Sequence, residues 1–304
     1  MIKILFIRSE KAFLPEIDAY IKYFNRTDEF RAFDSAELPS DYRVDDFDVV
    51  WEFKGIGGID RKDKILVHEY ASLSTGSLPK LKNIIKTFVN EKPSLRIFLN
   101  EHVKEGYPFR DNVDFCMRDM GVDESFLGFR DAKKEYEFVY VGPVSKSREI
   151  DKLLKKFARP GHWKICLIGN VDDEIYQEYK KDRDIIFTGK VPYSEVPKLA
   201  SKGVYGINYI PVRYPYFLQT STKLLEYLAL GLKIITTAYL WVNEFEQANR
   251  CSFYKLDYNN IYFDFEEIER FEYVSNFLPE IHLWNHIIHR SEIKTKLLKI
   301  HKGI

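Results

Sequence analysis

Short apolar runs recur along the chain, separated by stretches in which apolar residues return every third or fourth position. The first pattern predicts buried strands and the second amphipathic helices. In the first part of the chain it predicts strands over 2–7, 29–33, 48–53, 64–70, 95–99 and 113–117, with helices over 15–24 and 78–89. A second series begins near Tyr136. Its strands are predicted over 137–142, 163–169, 185–189 and 204–211, and its helices over 147–157, 173–179 and 194–201. A helix around Lys223 and a strand around Ile234 follow, and the tail from about residue 276 reads as helical. Strands alternating with helices predict an α/β protein with mostly parallel sheets covered on both faces. The polar segment 128–135 is the natural linker. The expected division is therefore a first domain over 1–132, a second over 133–275, and a C-terminal helical segment over 276–304.

Composition narrows the picture. A chain of 304 residues suits two domains of ordinary size. Forty-six basic residues balance 46 acidic ones, which argues against a dedicated nucleic-acid binder with its net basic field. Cys116, Cys166 and Cys251 are scattered without metal-ligand spacing, as suits a reducing cytosol. The opening residues read as a strand rather than a signal peptide. No apolar run approaches the ~20 residues that a membrane span needs. A cytoplasmic protein is expected. The helix over 78–89 sets Lys80, Lys82 and Lys86 beside Leu78, Leu81, Ile84, Ile85 and Phe88. The favoured reading is an apolar stripe facing the core with a lysine-rich outer face. The alternative is peripheral contact with an anionic membrane surface.

The densest chemistry lies in residues 220–237. Thr220, Ser221 and Thr222 can satisfy free N–H groups at a helix start, and Gly231 stands where a left-handed cap is wanted. Lys223 and Glu226, three apart, project from one face of the first turn. A helix start attracts anions, and a lysine there adds a full charge for a phosphate. A glutamate one turn on can accept two hydrogen bonds from a ribose diol. Together they would hold a nucleoside diphosphate.

Lys223-x-x-Glu226-Tyr227-x-Ala229-x-Gly231 resembles the donor-site signature of GT-B glycosyltransferases, in particular the family 4-like group. Other segments are similar to that group in the same order. They are Tyr140-Val141-Gly142-Pro143-Val144-Ser145-Lys146, Leu167-Ile168-Gly169, Phe187-Thr188-Gly189-Lys190-Val191, Val67-His68-Glu69-Tyr70, and the run from Arg118 to Phe126. The resemblance implies two Rossmann-like domains facing across a cleft, with the donor held mainly by the second and the tail crossing back to the first. It implies a metal-independent, retaining transfer of a sugar from a nucleoside-diphosphate sugar to a glycan or lipid-linked acceptor, with no cofactor. Lys223, with Lys146 or Arg148, would hold the diphosphate. Gly142 would admit it closely, and Glu226 would hold the ribose. Ser221 and Thr222 would cap the helix or bond phosphate. His68, at a strand end, would face the reacting sugar, with a minor role for Glu69. A place in bacterial surface polysaccharide synthesis is what the family suggests.

The sequence also departs from the group. Leu218 stands where a second glutamate often lies beside the donor sugar, so Gln219 or a backbone amide would have to serve. Arg8-Ser9-Glu10-Lys11 replaces the usual glycine-rich loop after the first strand. A non-catalytic relative that binds a sugar nucleotide and supports a partner transferase is therefore the alternative. A sugar-nucleotide epimerase of the same plan is a third reading. The Asp46/Asp48 and Asp182/Asp184 pairs read as solvated turns, and Gly55-x-Gly57-Gly58 lacks dinucleotide spacing.

Overall fold

A computed structural model of the chain describes residues 1–8, 14–58, 63–130, 132–157 and 163–303. It divides into two compact units, Met1–Gly121 with Leu283–Ile304, and Val122–His282. The sequence-based boundaries at 132/133 and 275/276 differ from these. The passage from one unit to the other comes at Gly121 and Val122, before the polar segment.

The first unit is built on β1 (Ile2–Ile7), α1 (Pro15–Phe24), β2 (Phe30–Asp34), β3 (Val49–Phe53), β4 (Ile65–Tyr70), α2 (Pro79–Val89), β5 (Leu95–Phe98), α3 (Glu101–Glu105) and β6 (Phe115–Met117). Its six strands run parallel in the order β2-β1-β3-β4-β5-β6. Pro15 starts α1, where its missing N–H costs nothing. Asn100 starts α3, its side chain accepting from the Val103 N–H at 2.9 Å. Phe6, Tyr20, Phe24 and Trp51 stack into the centre of the core. The strands read from periodicity are present, though β6 starts two residues later than predicted.

The second unit contains β7 (Tyr136–Val141), α4 (Ile150–Leu154), β8 (Ile165–Ile168), α5 (Asp173–Tyr179), β9 (Ile185–Gly189), α6 (Val196–Ala200), β10 (Gly203–Asn208), α7 (Thr222–Ala229), β11 (Lys233–Thr237), α8 (Leu240–Asn249), β12 (Tyr254–Leu256) and α9 (Phe265–Arg270). Its six parallel strands follow the order β12-β11-β10-β7-β8-β9. Phe138 sits at the middle of an aromatic cluster with Phe157, Tyr205 and Phe263. The helix predicted over 147–157 is shorter. Glu149 takes a left-handed backbone (φ 58°) and separates a 3-10 turn at Lys146–Arg148 from α4. The predicted helical tail is two helices, α10 (Trp284–Arg290) and α11 (Ile293–Lys302). Ile288, Ile293 and Leu297 enter the first unit's core, which places the tail there. Among the described residues, no helix is long and apolar enough to cross a membrane.

Candidate functional site

In an open parallel sheet the loops after the strands gather the ligand-binding groups. In the second unit those loops bring β7, β10 and α7 together. Tyr227 reaches from α7 to the end of β7, where its hydroxyl accepts from the Val141 N–H at 2.7 Å. Asn208, at the end of β10, ties the start of α7. It accepts from the Ser221 hydroxyl at 2.7 Å and donates to Thr236 at 2.9 Å and Tyr239 at 3.0 Å. Ser221 is the residue preceding α7, but its hydroxyl makes no cap bond. The expected side-chain cap is thus replaced by a link to the sheet. Thr222 opens the helix half-buried. Gly231 takes φ 71° just beyond the helix, the left-handed stop anticipated there.

Lys223 is the unusual group. Its Nζ is buried, has no hydrogen-bond partner, and sits 3.9 Å above the centre of the Tyr140 ring. Burial pulls its pKa well down, the nearby Arg148 pulls it further, and Glu226 opposes both. A buried ammonium without a hydrogen-bonding partner is costly. Gly142 lies against it: a Cβ at this residue would come 3.3 Å from the Lys223 Nζ. Gly142 also needs glycine for its backbone, at φ 131°. Behind it stands Gly169 at φ 148°, whose own Cβ would collide with the Gly142 carbonyl.

Glu226 is buried one turn further along α7. It accepts a 2.7 Å hydrogen bond from the Tyr193 hydroxyl, and Tyr193 packs against Phe126. Burial pushes its carboxyl up to about 7, while Tyr193 and Lys223 restrain the rise. A carboxylate poised near neutrality beside a depressed lysine is the kind of perturbed pair that marks functional sites. Gln219, just before the helix, has a buried Nε2 with no hydrogen-bond partner.

The other anticipated donor-side residues separate. Arg148 acts electrostatically on both Tyr140 and Lys223, so it belongs to the cluster. Lys146 does not join it. Its side chain is exposed and paired with the exposed Glu174. Sequence reasoning missed Tyr140, Tyr193 and Asn208. Their only signal was a position at or just beyond a strand end.

In the first unit, His68 corrects its expectation. It is not at the end of its strand but the fourth of six residues in β4, fully buried. It lies between Glu52 of β3 and Arg96 of β5, with Nε2 3.7 Å from the Glu52 carboxylate. Neither ring nitrogen has a hydrogen-bond partner. Burial, then Lys54 and Arg96, bring its pKa down to about 3, so the ring is neutral. Glu69 points into the core. It pairs with the buried Arg118 and accepts from the Trp51 indole at 2.8 Å. Arg118 also meets Glu16 at 3.6 Å and the Tyr20 hydroxyl at 3.0 Å. Ser9, Glu10 and Lys11, in the loop after β1, lie outside the described residues. Among the described residues, no three His, Cys, Asp or Glu side chains gather as a metal site.

No protein-family model matches the sequence, and no curated protein matches it. Solved structures do match. AviGT4, a glycosyltransferase involved in avilamycin A biosynthesis, superposes with a TM-score of 0.61 at 12% identity, covering 100% of this chain and 99% of its own. Alr3699/HepE from Anabaena, solved with UDP and glucose, gives 0.58 at 12% identity, covering 100% and 99%. MnaA from S. aureus, solved with UDP, gives 0.53 at 10% identity, covering 100% and 97%. With two α/β units, each on a six-stranded parallel sheet, and full-length likeness to these proteins, the chain has the GT-B fold.

Proposed function

We propose that this protein is a glycosyltransferase that takes a sugar from a nucleoside-diphosphate sugar and passes it to a glycan or lipid-linked acceptor. One observation carries the reading. The buried Lys223 ammonium has no hydrogen-bond partner and lies against the Gly142 turn, where only a glycine avoids a tight contact with its Nζ. A diphosphate is the anion such a place suits. The fold alone chooses no reaction.

In this reading the diphosphate lies over Gly142, against Lys223 and Arg148. The Glu226 carboxylate accepts from the ribose diol. The unpartnered Gln219 amide donates to a sugar hydroxyl, in the place where Leu218 has removed the group's usual carboxylate. As the bond from the anomeric carbon to the phosphate oxygen breaks, negative charge grows on the diphosphate, and preorganised cations stabilise it. The acceptor oxygen forms the new bond and its proton passes to the departing phosphate. Glu69 is committed to Arg118 and Trp51, which leaves the phosphate as the base and favours retention of configuration. The two cations make the transfer independent of a metal. Bacterial surface polysaccharide is the proposed setting and the cytoplasm the proposed location.

The test is a thermal-shift panel of UDP, GDP, ADP and CMP with their common sugars, with and without EDTA. A ligand of the native state raises the melting temperature by mass action. A selective shift by one diphosphate, unchanged by EDTA, names the donor base. No shift up to millimolar concentration refutes the site. A shift without donor hydrolysis or transfer would instead favour a nucleotide-binding partner protein, the reading Leu218 supports.

A further inference from the structure

Helix α2 is packed inside out. Its one fully buried side chain is Asn83, whose carbonyl oxygen accepts from the Ser74 N–H at 2.9 Å. Leu81, Ile84, Ile85, Phe88 and Val89 are all exposed, Phe88 at 77%, as is Leu78 at the helix start. At about 100° per residue, those five helical residues fill one arc of about 140°, whose centre lies about 170° from Asn83. The sequence pattern is amphipathic as expected, but the apolar stripe faces away from the sheet.

Lys80 and Lys82, both exposed, fall just outside the two edges of that arc. Lys86 lies further round, with its Nζ 5.9 Å from the centre of the Tyr107 ring. The helix contains three lysines and no carboxylate, in a chain whose formal charge is zero. Just past its end, Asn90 donates to the Gly55 carbonyl and accepts from the Gly57 N–H, each at 3.1 Å. This clamp sets the exposed Ile56 beside the helix end.

We propose that α2, with the Ile56 tip, lies in the plane of an anionic lipid surface. An apolar arc sinks into the acyl boundary, and lysines on both flanks reach headgroup phosphates. Charge decides the occupant. A second copy of the chain would set one lysine-flanked arc against another, with no carboxylate in either helix to answer them. An anionic bilayer answers both lysine rows at once. The inference is independent of the donor site, since it uses no residue of the second unit.

The test is sedimentation of the full chain with vesicles of phosphatidylcholine alone, and with about one third phosphatidylglycerol. Binding to the anionic vesicles, falling with salt, is expected. Ile85→Ser/Phe88→Ser should abolish it. Lys80→Gln/Lys82→Gln should weaken it by about thirtyfold. These positions are exposed, so the melting temperature should hold within a degree or so. Absence of binding by the wild-type chain, or undiminished binding by Ile85→Ser/Phe88→Ser, overturns the proposal. So does a concentration-dependent dimer that Phe88→Ser dissolves, which would assign the face to a second copy.

Discussion

Replacing Glu226 by glutamine should make the empty protein more stable and a poorer nucleotide binder. The carboxyl is buried, and its pKa stands at about 7 against an ordinary value of 4.5. A raised carboxyl binds protons in the folded state that the unfolded state has already released. Stability therefore falls as pH rises from 4.5 through about 7, and the full cost remains above that. At 1.36 kcal/mol for each tenfold change in proton affinity, the cost above neutrality is about 3 kcal/mol. Glutamine carries no such charge, and its carbonyl can still accept from Tyr193. Glu226→Gln should thus raise the melting temperature by about 5 °C at pH 8 and leave it nearly unchanged near pH 4.5. Scanning calorimetry at the two pH values reads this directly. In the same variant, loss of the charged acceptor should weaken nucleotide binding about tenfold or more. Equal stability at both pH values would refute the burial argument. Unchanged nucleotide affinity would refute the ribose assignment.

Lys223→Met keeps an unbranched side chain one atom shorter and removes its charge. Apo stability should rise by about 1 to 3 kcal/mol, while diphosphate binding falls at least tenfold. Titration calorimetry and urea melts together check this pair of opposite effects. In Glu226→Gln, where the other titrating group of the site is gone, diphosphate binding should take up protons, because the bound anion raises the depressed Lys223 pKa; calorimetry in buffers of different ionisation heat would contradict this by showing proton release. Arg118→Met should cost about 3 to 5 kcal/mol, because Glu69 and Glu16 lose their buried counter-charge. Adding Glu69→Gln should recover part of that in urea denaturation. A loss below about 1 kcal/mol in the single variant would mean the pair is not structural.

The parts legible in the sequence are those governed by neighbours along the chain. The strand runs of both sheets, apart from the three-residue edge strand β12, read directly from apolar stretches, and α7 with its Gly231 stop read from local chain chemistry. Lys223 and Glu226 were found because one helical turn fixes their relative position. What failed depended on contacts distant in sequence. Ser221 has the right type and position for a cap, yet Asn208, thirteen residues earlier, takes its hydroxyl. Lys146 and Arg148 look alike in sequence, but the left-handed turn at Glu149 ends a short 3-10 segment, and only Arg148 turns toward Tyr140. His68 could be placed on a strand but not at a depth. It lies between Glu52 and Arg96 on the adjoining strands. The stripe on α2 was read correctly, but periodicity gives no direction. Asn83 and its bond to Ser74 decide which face turns inward.

The site of α7 and the face of α2 belong to different units and different kinds of chemistry. One is built from charges kept out of water, with Lys223 lacking any hydrogen-bond partner, a stability cost that makes sense at a binding site. The other exposes apolar area that a soluble surface has no need of.

The two glycines behind Lys223 have a further effect. A methyl group at position 169 would press on the Gly142 carbonyl and displace the turn that faces Lys223. The shape of the turn at Gly142 is therefore set from behind, by Gly169. A constraint on the backbone at 142 is also a constraint at 169. The two positions should be free to vary only as a pair, and a survey of inactive variants would find the second glycine as often as the first.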